Sequence, residues 1–162
     1  MPLPAPFKLE RYFAKYEFKV KYLLSPSDCE SLSLDELLHM ADADSLRLWN
    51  DLGLGYTESP GHPVLRKEIA RMYQTIPPDQ IVVAAPEELI YIALNTLLKP
   101  GDHAVCISPA YQSLYEIARA IGCEVTPWAA KVVDGEWRLG ANGLEAAITD
   151  RTRLLIVNFP HN

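Results

Sequence analysis

Short apolar runs recur along this chain, separated by stretches long enough for a helix. Ile81-Val82-Val83-Ala84, Ala104-Val105-Cys106-Ile107, Cys123 to Trp128 and Arg153-Leu154-Leu155-Ile156-Val157-Asn158 are the runs. A strand with one wet face alternates apolar and polar residues, so unbroken apolar runs mark strands covered on both faces. Between them lie helical patterns. Pro86 opens a segment whose Leu89, Ile90, Ala93, Leu94, Leu97 and Leu98 form a wide apolar stripe. A second helix is expected from about Tyr111 to Ile121 with Gly122 as its C-cap, and a short one near Gly143–Ile148. Buried strands alternating with helices predict an α/β fold: a mostly parallel sheet with helices on both faces and right-handed crossovers.

The rest of the chain supplies the punctuation. Residues 1–49 are expected to form an N-terminal arm and helix, and 50–162 the first part of the α/β domain. Ser33-Leu34-Asp35-Glu36 has the form of a capping box, which predicts a helix running to about Ala43. The stretch from Asn50 to Pro63 is rich in Gly and Pro and reads as a loop. Pro63 suits the first turn of a helix whose buried face would be Leu65, Ile69, Met72 and Tyr73. Lys99-Pro100-Gly101-Asp102 predicts a turn, and Asp134-Gly135 a small hairpin.

Composition excludes several classes of function. The net charge is -6 and no cluster of Lys and Arg occurs, so the basic footprint of a nucleic-acid binder is missing. No apolar run approaches the ~18 residues of a membrane span. The first residues have neither the basic segment nor the apolar core of a secretion signal. Cys106 and Cys123 lie in apolar runs and read as small buried hydrophobes, while the four histidines are scattered. A metal-free protein in a reducing, cytoplasmic setting is the expectation.

In sheets of this kind ligands collect beyond the C-terminal ends of strands, where helix N-termini point at them. Four segments qualify, and they carry a resemblance. Asn158-Phe159-Pro160-His161-Asn162 matches the start of the N-x-P-x-N-P-T-G motif of class I/II aminotransferases. Leu98-Lys99-Pro100-Gly101-Asp102, a strand, then Pro109-Ala110-Tyr111-Gln112-Ser113-Leu114-Tyr115 resembles that family's L-x-P-G-D and P-x-Y-x-x-Y pattern. Leu54-Gly55-Tyr56, Gly61 and Leu65-Arg66-Lys67-Glu68-Ile69-Ala70 resemble its Y…G…L-R-x-x-I-A segment. Ala85-Pro86-Glu87 falls in the same register, at the phosphate-binding position. Four segments in one order over residues 50–162 make chance similarity a poor account.

The resemblance implies a fold-type-I enzyme that uses pyridoxal 5'-phosphate (PLP) to move an amino group from an amino acid to a 2-oxo acid. It also implies a homodimer. Tyr111 would stack on the cofactor ring, Asn162 would donate to its phenolic oxygen, and Ala85, Pro86 and Glu87 would sit at its phosphate. Tyr56 would reach the neighbouring subunit's phosphate. The residues alone also fit plainer roles: a core tyrosine at a helix start, an Asn turn, a capped helix and a surface loop tyrosine. At Ala85-Pro86-Glu87 the chain departs from the family's usual Gly-Ala pattern. Pro86 has no N–H, which leaves Glu87 and Glu88 as donors, and their carboxylates would repel a phosphate they faced.

The lysine that forms the family's imine with PLP lies beyond the asparagine that is Asn162 here, and no lysine of this chain occupies its place. The expectation is therefore the incomplete front half of a large domain, inactive alone, belonging to a longer aminotransferase. A PLP-dependent lyase, decarboxylase or cyclase would share this front half. The rivals are a non-catalytic, self-associating fragment and a doubly wound nucleotide-binding domain, although neither G-x-G-x-x-G nor G-x-x-x-x-G-K-[ST] occurs.

Overall fold

A computed structural model describes residues 3–26 and 28–160. They divide into two compact units. One holds the described residues up to Leu23 with those from Ala84 onward, and the other is Leu24–Val83.

The first unit is built on a three-stranded parallel sheet. Its central strand is β1 (His103–Ser108), flanked by β2 (Glu124–Ala129) and β5 (Thr152–Ile156). Every residue of β1 but the last is buried. Two helices, α5 (Pro86–Leu97) and α6 (Ser113–Ile121), cover one face. Leu94, Leu98, Ile117, Ala118 and Ile121 close there on Cys106 and Ile156. Burial of each such leucine contributes about 1.5–3 kcal/mol. Trp128, in register with Ile107, points to the opposite face, where its Nε1–H donates to Gly140 O, 3.0 Å away, at the start of α7 (Ala141–Ala147). The expected α/β class, with a parallel sheet and helices, is what the chain adopts.

Turn chemistry explains the connections. Gly122 sits at φ 102°, and the pair Cys123 N–H to Ala118 O and Gly122 N–H to Arg119 O closes α6 in a Schellman motif. At the turn before β1, Asp102 accepts from Lys99 N–H at 2.9 Å and Gly101 takes φ 89°. Asp134 and Gly135 both adopt positive φ and join β3 (Lys131–Val133) to β4 (Glu136–Arg138) in the small hairpin the sequence suggests. Ahead of the sheet, α1 (Lys8–Tyr16) forms the arm.

Several expectations are corrected. Ile81–Ala84 is not a strand: Val83 N–H donates to Pro60 O at 2.9 Å and Ile81 O accepts from Arg66 Nε at 2.9 Å. The run is tied to a loop and a helix instead of a ladder, so its apolar character does not make it sheet. The run from Arg153 is not covered on both faces. Leu155 and Val157 are 42% and 51% exposed, because β5 is an edge with no helix over that side. The α5 stripe is narrower than expected, with Leu94 and Leu98 buried but Leu97 half exposed.

The second unit carries α2 (Leu34–His39), α3 (Ala43–Asn50) and α4 (Pro63–Ala70). The Ser33–Glu36 capping box is present. The helix it starts ends at His39, short of Ala43, because Asp42 accepts from Ser45 N–H at 2.8 Å and begins a new one. Leu65, Met72 and Tyr73 are exposed and Ile69 half-buried, against the expected buried face. Among the described residues of this unit, Ile81 is the one buried large hydrophobe. Within this unit α4 meets the short turn Pro78–Gln80, which leaves Leu65, Met72 and Tyr73 uncovered.

Candidate functional site

The N-terminus of α5 stands where the phosphate segment was expected. Ala85 is the N-cap, extended and without a capping side chain, and Pro86 occupies the first turn. Leu89 N–H is the first to find a partner inside the helix, at Ala85 O, 3.0 Å away. The Glu87 and Glu88 N–H groups thus head an uncapped helix start, whose dipole favours an anion.

The Glu87 carboxylate is held by another helix. Its Oε1 accepts from Ser113 Oγ at 3.1 Å, and Ser113 is the buried first residue of α6. This bond holds the Glu87 carboxylate toward α6.

Tyr111 lies between the end of β1 and the start of α6. Its hydroxyl donates to Glu10 Oε1 at 3.4 Å, and its ring meets Phe7 in a T-shaped contact with centroids 4.6 Å apart. More than a third of the residue stays exposed. Burial, then the Glu87 and Glu10 carboxylates, push its phenol above the ordinary tyrosine value, so it stays protonated through neutral pH. The structure therefore brings together two residues expected at the site, Glu87 and Tyr111.

The others fall elsewhere. Tyr56 is fully exposed in the Leu24–Val83 unit, as is Leu54 beside it. Asn162 lies outside the described residues. Beyond the C-terminal end of β1, Ile107, Ser108, Pro109, Trp137, Leu139 and Phe159 line an apolar cleft of about 350 Å³. No group of three or more potential metal ligands occurs among the described residues. None of their helices is long and apolar enough to cross a membrane.

Sequence reasoning expected the arm but not what it docks on. Phe7, Lys8 and Glu10 all reach residues 111 and 112, a separation of about a hundred positions. The mixture of aromatics and charges in the first residues was the available signal, and it does not name a partner.

The parallel sheet with its covering helices has the architecture of fold-type-I PLP-dependent enzymes, as the comparisons show. Residues 31–162 match the family profile of aminotransferase class I and II. The chain belongs to that family. It is 32% identical over 150 residues to a capreomycidine synthase of Streptomyces vinaceus, a match covering 91% of this chain and 34% of that protein. It is 32% identical to an arginine–pyruvate transaminase of Pseudomonas aeruginosa over 113 residues, 66% of this chain and 28% of the relative. The chain thus spans about a third of the length of these curated relatives. Among solved structures, a PLP-dependent aminotransferase of Streptococcus suis superposes with a TM-score of 0.80 at 25% identity, covering 93% of this chain and 41% of that one. The PLP-dependent cyclase OrfR superposes at 0.81 with 28% identity, covering 100% and 42%.

Proposed function

We propose that this chain is the front wall of a PLP-dependent aminotransferase that moves an amino group from an amino acid to a 2-oxo acid. The observation that carries the reading is the meeting of Glu87 and Tyr111 near an uncapped helix start, within a chain of this family. Those residues fit the cofactor: the start of α5 presents N–H groups for a phosphate, with the Glu87 carboxylate drawn away to Ser113. Tyr111 keeps an exposed aromatic surface for a flat ring.

In this reading the Glu87 and Glu88 amides hold the phosphate, and Tyr111 stacks on the ring. The Asn162 amide donates to the cofactor's phenolic oxygen. When bound, PLP supplies an electron sink for proton loss at the Cα of an amino acid. The chain's own part is to bind and orient it. Tyr56, fully exposed on a Gly- and Pro-rich loop, serves the second subunit of a homodimer. The imine-forming lysine and the substrate-carboxylate group come from sequence outside this chain. Three free cysteines, two of them buried, suit a reducing cytoplasm.

A second reading has one observation in its favour. The capreomycidine synthase match covers 91% of the chain against 66% for the transaminase match, and the cyclase OrfR superposes over 100% of it, as the Streptococcus suis aminotransferase does over 93%. A cyclase would consume its amino acid without any acceptor; an aminotransferase requires a 2-oxo acid and returns it aminated. Incubating the full-length protein and PLP with amino acids, with and without 2-oxo acid, separates the two. Failure of added PLP to develop a protein-bound absorbance band that responds to amines removes both.

A further inference from the structure

The N-terminal helix α1 begins without a cap of its own. Phe7 occupies its N-cap position and has no side-chain acceptor, so the first N–H groups of the helix lack a local partner. One of them finds a partner far along the chain. Lys8 N–H donates to Gln112 Oε1 at 2.9 Å, and the other end of that amide, Nε2, donates to Pro6 O at 3.0 Å. Gln112 is buried, and both ends of its side chain are spent on the backbone of the arm.

This clasp brings the first turn of α1 onto the residue next to Gln112. Phe7 packs edge-to-face with Tyr111, and Glu10, one turn on, accepts from the Tyr111 hydroxyl. The aromatic ring is therefore held by two side chains of one helical turn, and that turn is held by Gln112. Pro4, Ala5, Phe7, Glu87, Tyr91 and Gln112 line a cleft of about 280 Å³ where the arm crosses the starts of α5 and α6.

We propose that Gln112 is a positioning residue that caps α1 from outside and latches the N-terminal arm against Tyr111, so that the segment from Pro6 to Glu10 sets the orientation of the aromatic platform. The latch stands on the geometry above; its consequence for cofactor binding rests on the reading that Tyr111 faces PLP. Opening the latch removes Phe7 and Glu10 from Tyr111, leaving Glu87 as its remaining acidic neighbour.

The test uses the full-length protein with two substitutions. Gln112→Met keeps the length of the side chain and loses both bonds. Gln112→Glu keeps an acceptor for Lys8 N–H but sets an oxygen against Pro6 O, so it opens the latch even if the methionine variant does not fold. Three readouts apply: the rate of tryptic cleavage at Lys8, Arg11 and Lys15 mapped by mass spectrometry, the phenol titration of Tyr111 obtained by subtracting Tyr111→Phe spectra, and the dissociation constant for PLP. The expected result is cleavage about tenfold faster or more, which corresponds to about 1.4 kcal/mol of lost latching. In Gln112→Met the Tyr111 titration should move down toward the ordinary tyrosine range and PLP should bind several-fold more weakly, whereas Gln112→Glu, which sets a new carboxylate beside the phenol, is read by cleavage alone. Unchanged cleavage and titration in the folded variants overturn the latch. Faster cleavage with an unmoved Tyr111 titration overturns the positioning role, because a merely structural arm would give that pattern. If the unsubstituted protein takes up no PLP, the cofactor reading fails, while cleavage and titration still decide the latch.

Discussion

His103 Nδ1 lies 2.7 Å from Thr152 Oγ1, joining β1 to β5 by a side-chain bond inside the sheet. The other ring nitrogen, Nε2, is 2.9 Å from Thr126 Oγ1 of β2, and His103 is 1% exposed. One imidazole thus links all three strands, and no buried side-chain polar atom is left without a partner among the described residues.

Replacing that imidazole removes the bonds that cross the sheet, although Thr152 Oγ1 still accepts from Thr149 N–H at 2.7 Å. His103→Leu keeps most of the volume and removes both partners, so it should cost about 2–4 kcal/mol of stability. Thr152→Val, which removes one partner, should cost about 1–2 kcal/mol. Urea midpoints of the full-length protein check both. A leucine variant as stable as the parent would mean the network contributes nothing.

Gly61 is required by its surroundings. It adopts φ 108°, and a Cβ there would stand 2.8 Å from Val83 Cβ. Gly61→Ala should therefore destabilise the Leu24–Val83 unit by about 1–3 kcal/mol. Because alanine keeps the Cβ that the new methyl would meet, the double substitution Gly61→Ala with Val83→Ala should relieve only the 3.1 Å contact with Cγ2 and leave most of the loss in place. Amide exchange across residues 58–83 reads the effect locally.

Tyr111 should tolerate loss of its hydroxyl better than loss of its ring. Tyr111→Phe keeps the stacking surface and the contact with Phe7, and PLP affinity should stay within about threefold. Tyr111→Ala should weaken PLP by about tenfold or more. Equal affinities for the two variants, measured by equilibrium titration with PLP, would place the cofactor away from this side chain.

Cysteine reactivity follows burial. Burial pushes the Cys106 thiol from 9.0 to about 11, with Arg119 opposing the rise, and it also raises that of Cys123. Maleimide should label exposed Cys29 in the native protein and reach Cys106 and Cys123 only after unfolding, as peptide mass spectrometry will show. Because folding raises the Cys106 value, its contribution to stability is complete below 9.0 and declines as the pH climbs toward 11. Cys106→Ala should flatten that part of the stability–pH curve.

Local chemistry was the legible part of the fold. Ser33 with Glu36, Pro63 and Pro86 at helix starts, Gly122 at a helix end and Asp134-Gly135 in a hairpin all do what their side chains dictate. Each depends on atoms within a few residues. Ile81–Ala84 misled because an apolar run records a liking for burial without naming what buries it. The same held for Leu65, Met72 and Tyr73, whose 3–4 residue spacing does not bury them.

The site divides along the same line. A strand end marked Tyr111 from the sequence, and the proline of a helix start marked Glu87, although the run before that helix is not a strand. That Glu87 turns to Ser113, that Gln112 clasps Pro6 and Lys8, and that Phe7 packs on Tyr111 were decided only by the tertiary structure. A propensity acts through neighbours in the chain, whereas these contacts join residues 26 to about a hundred positions apart. Their partners are selected by which surfaces the packed sheet leaves free.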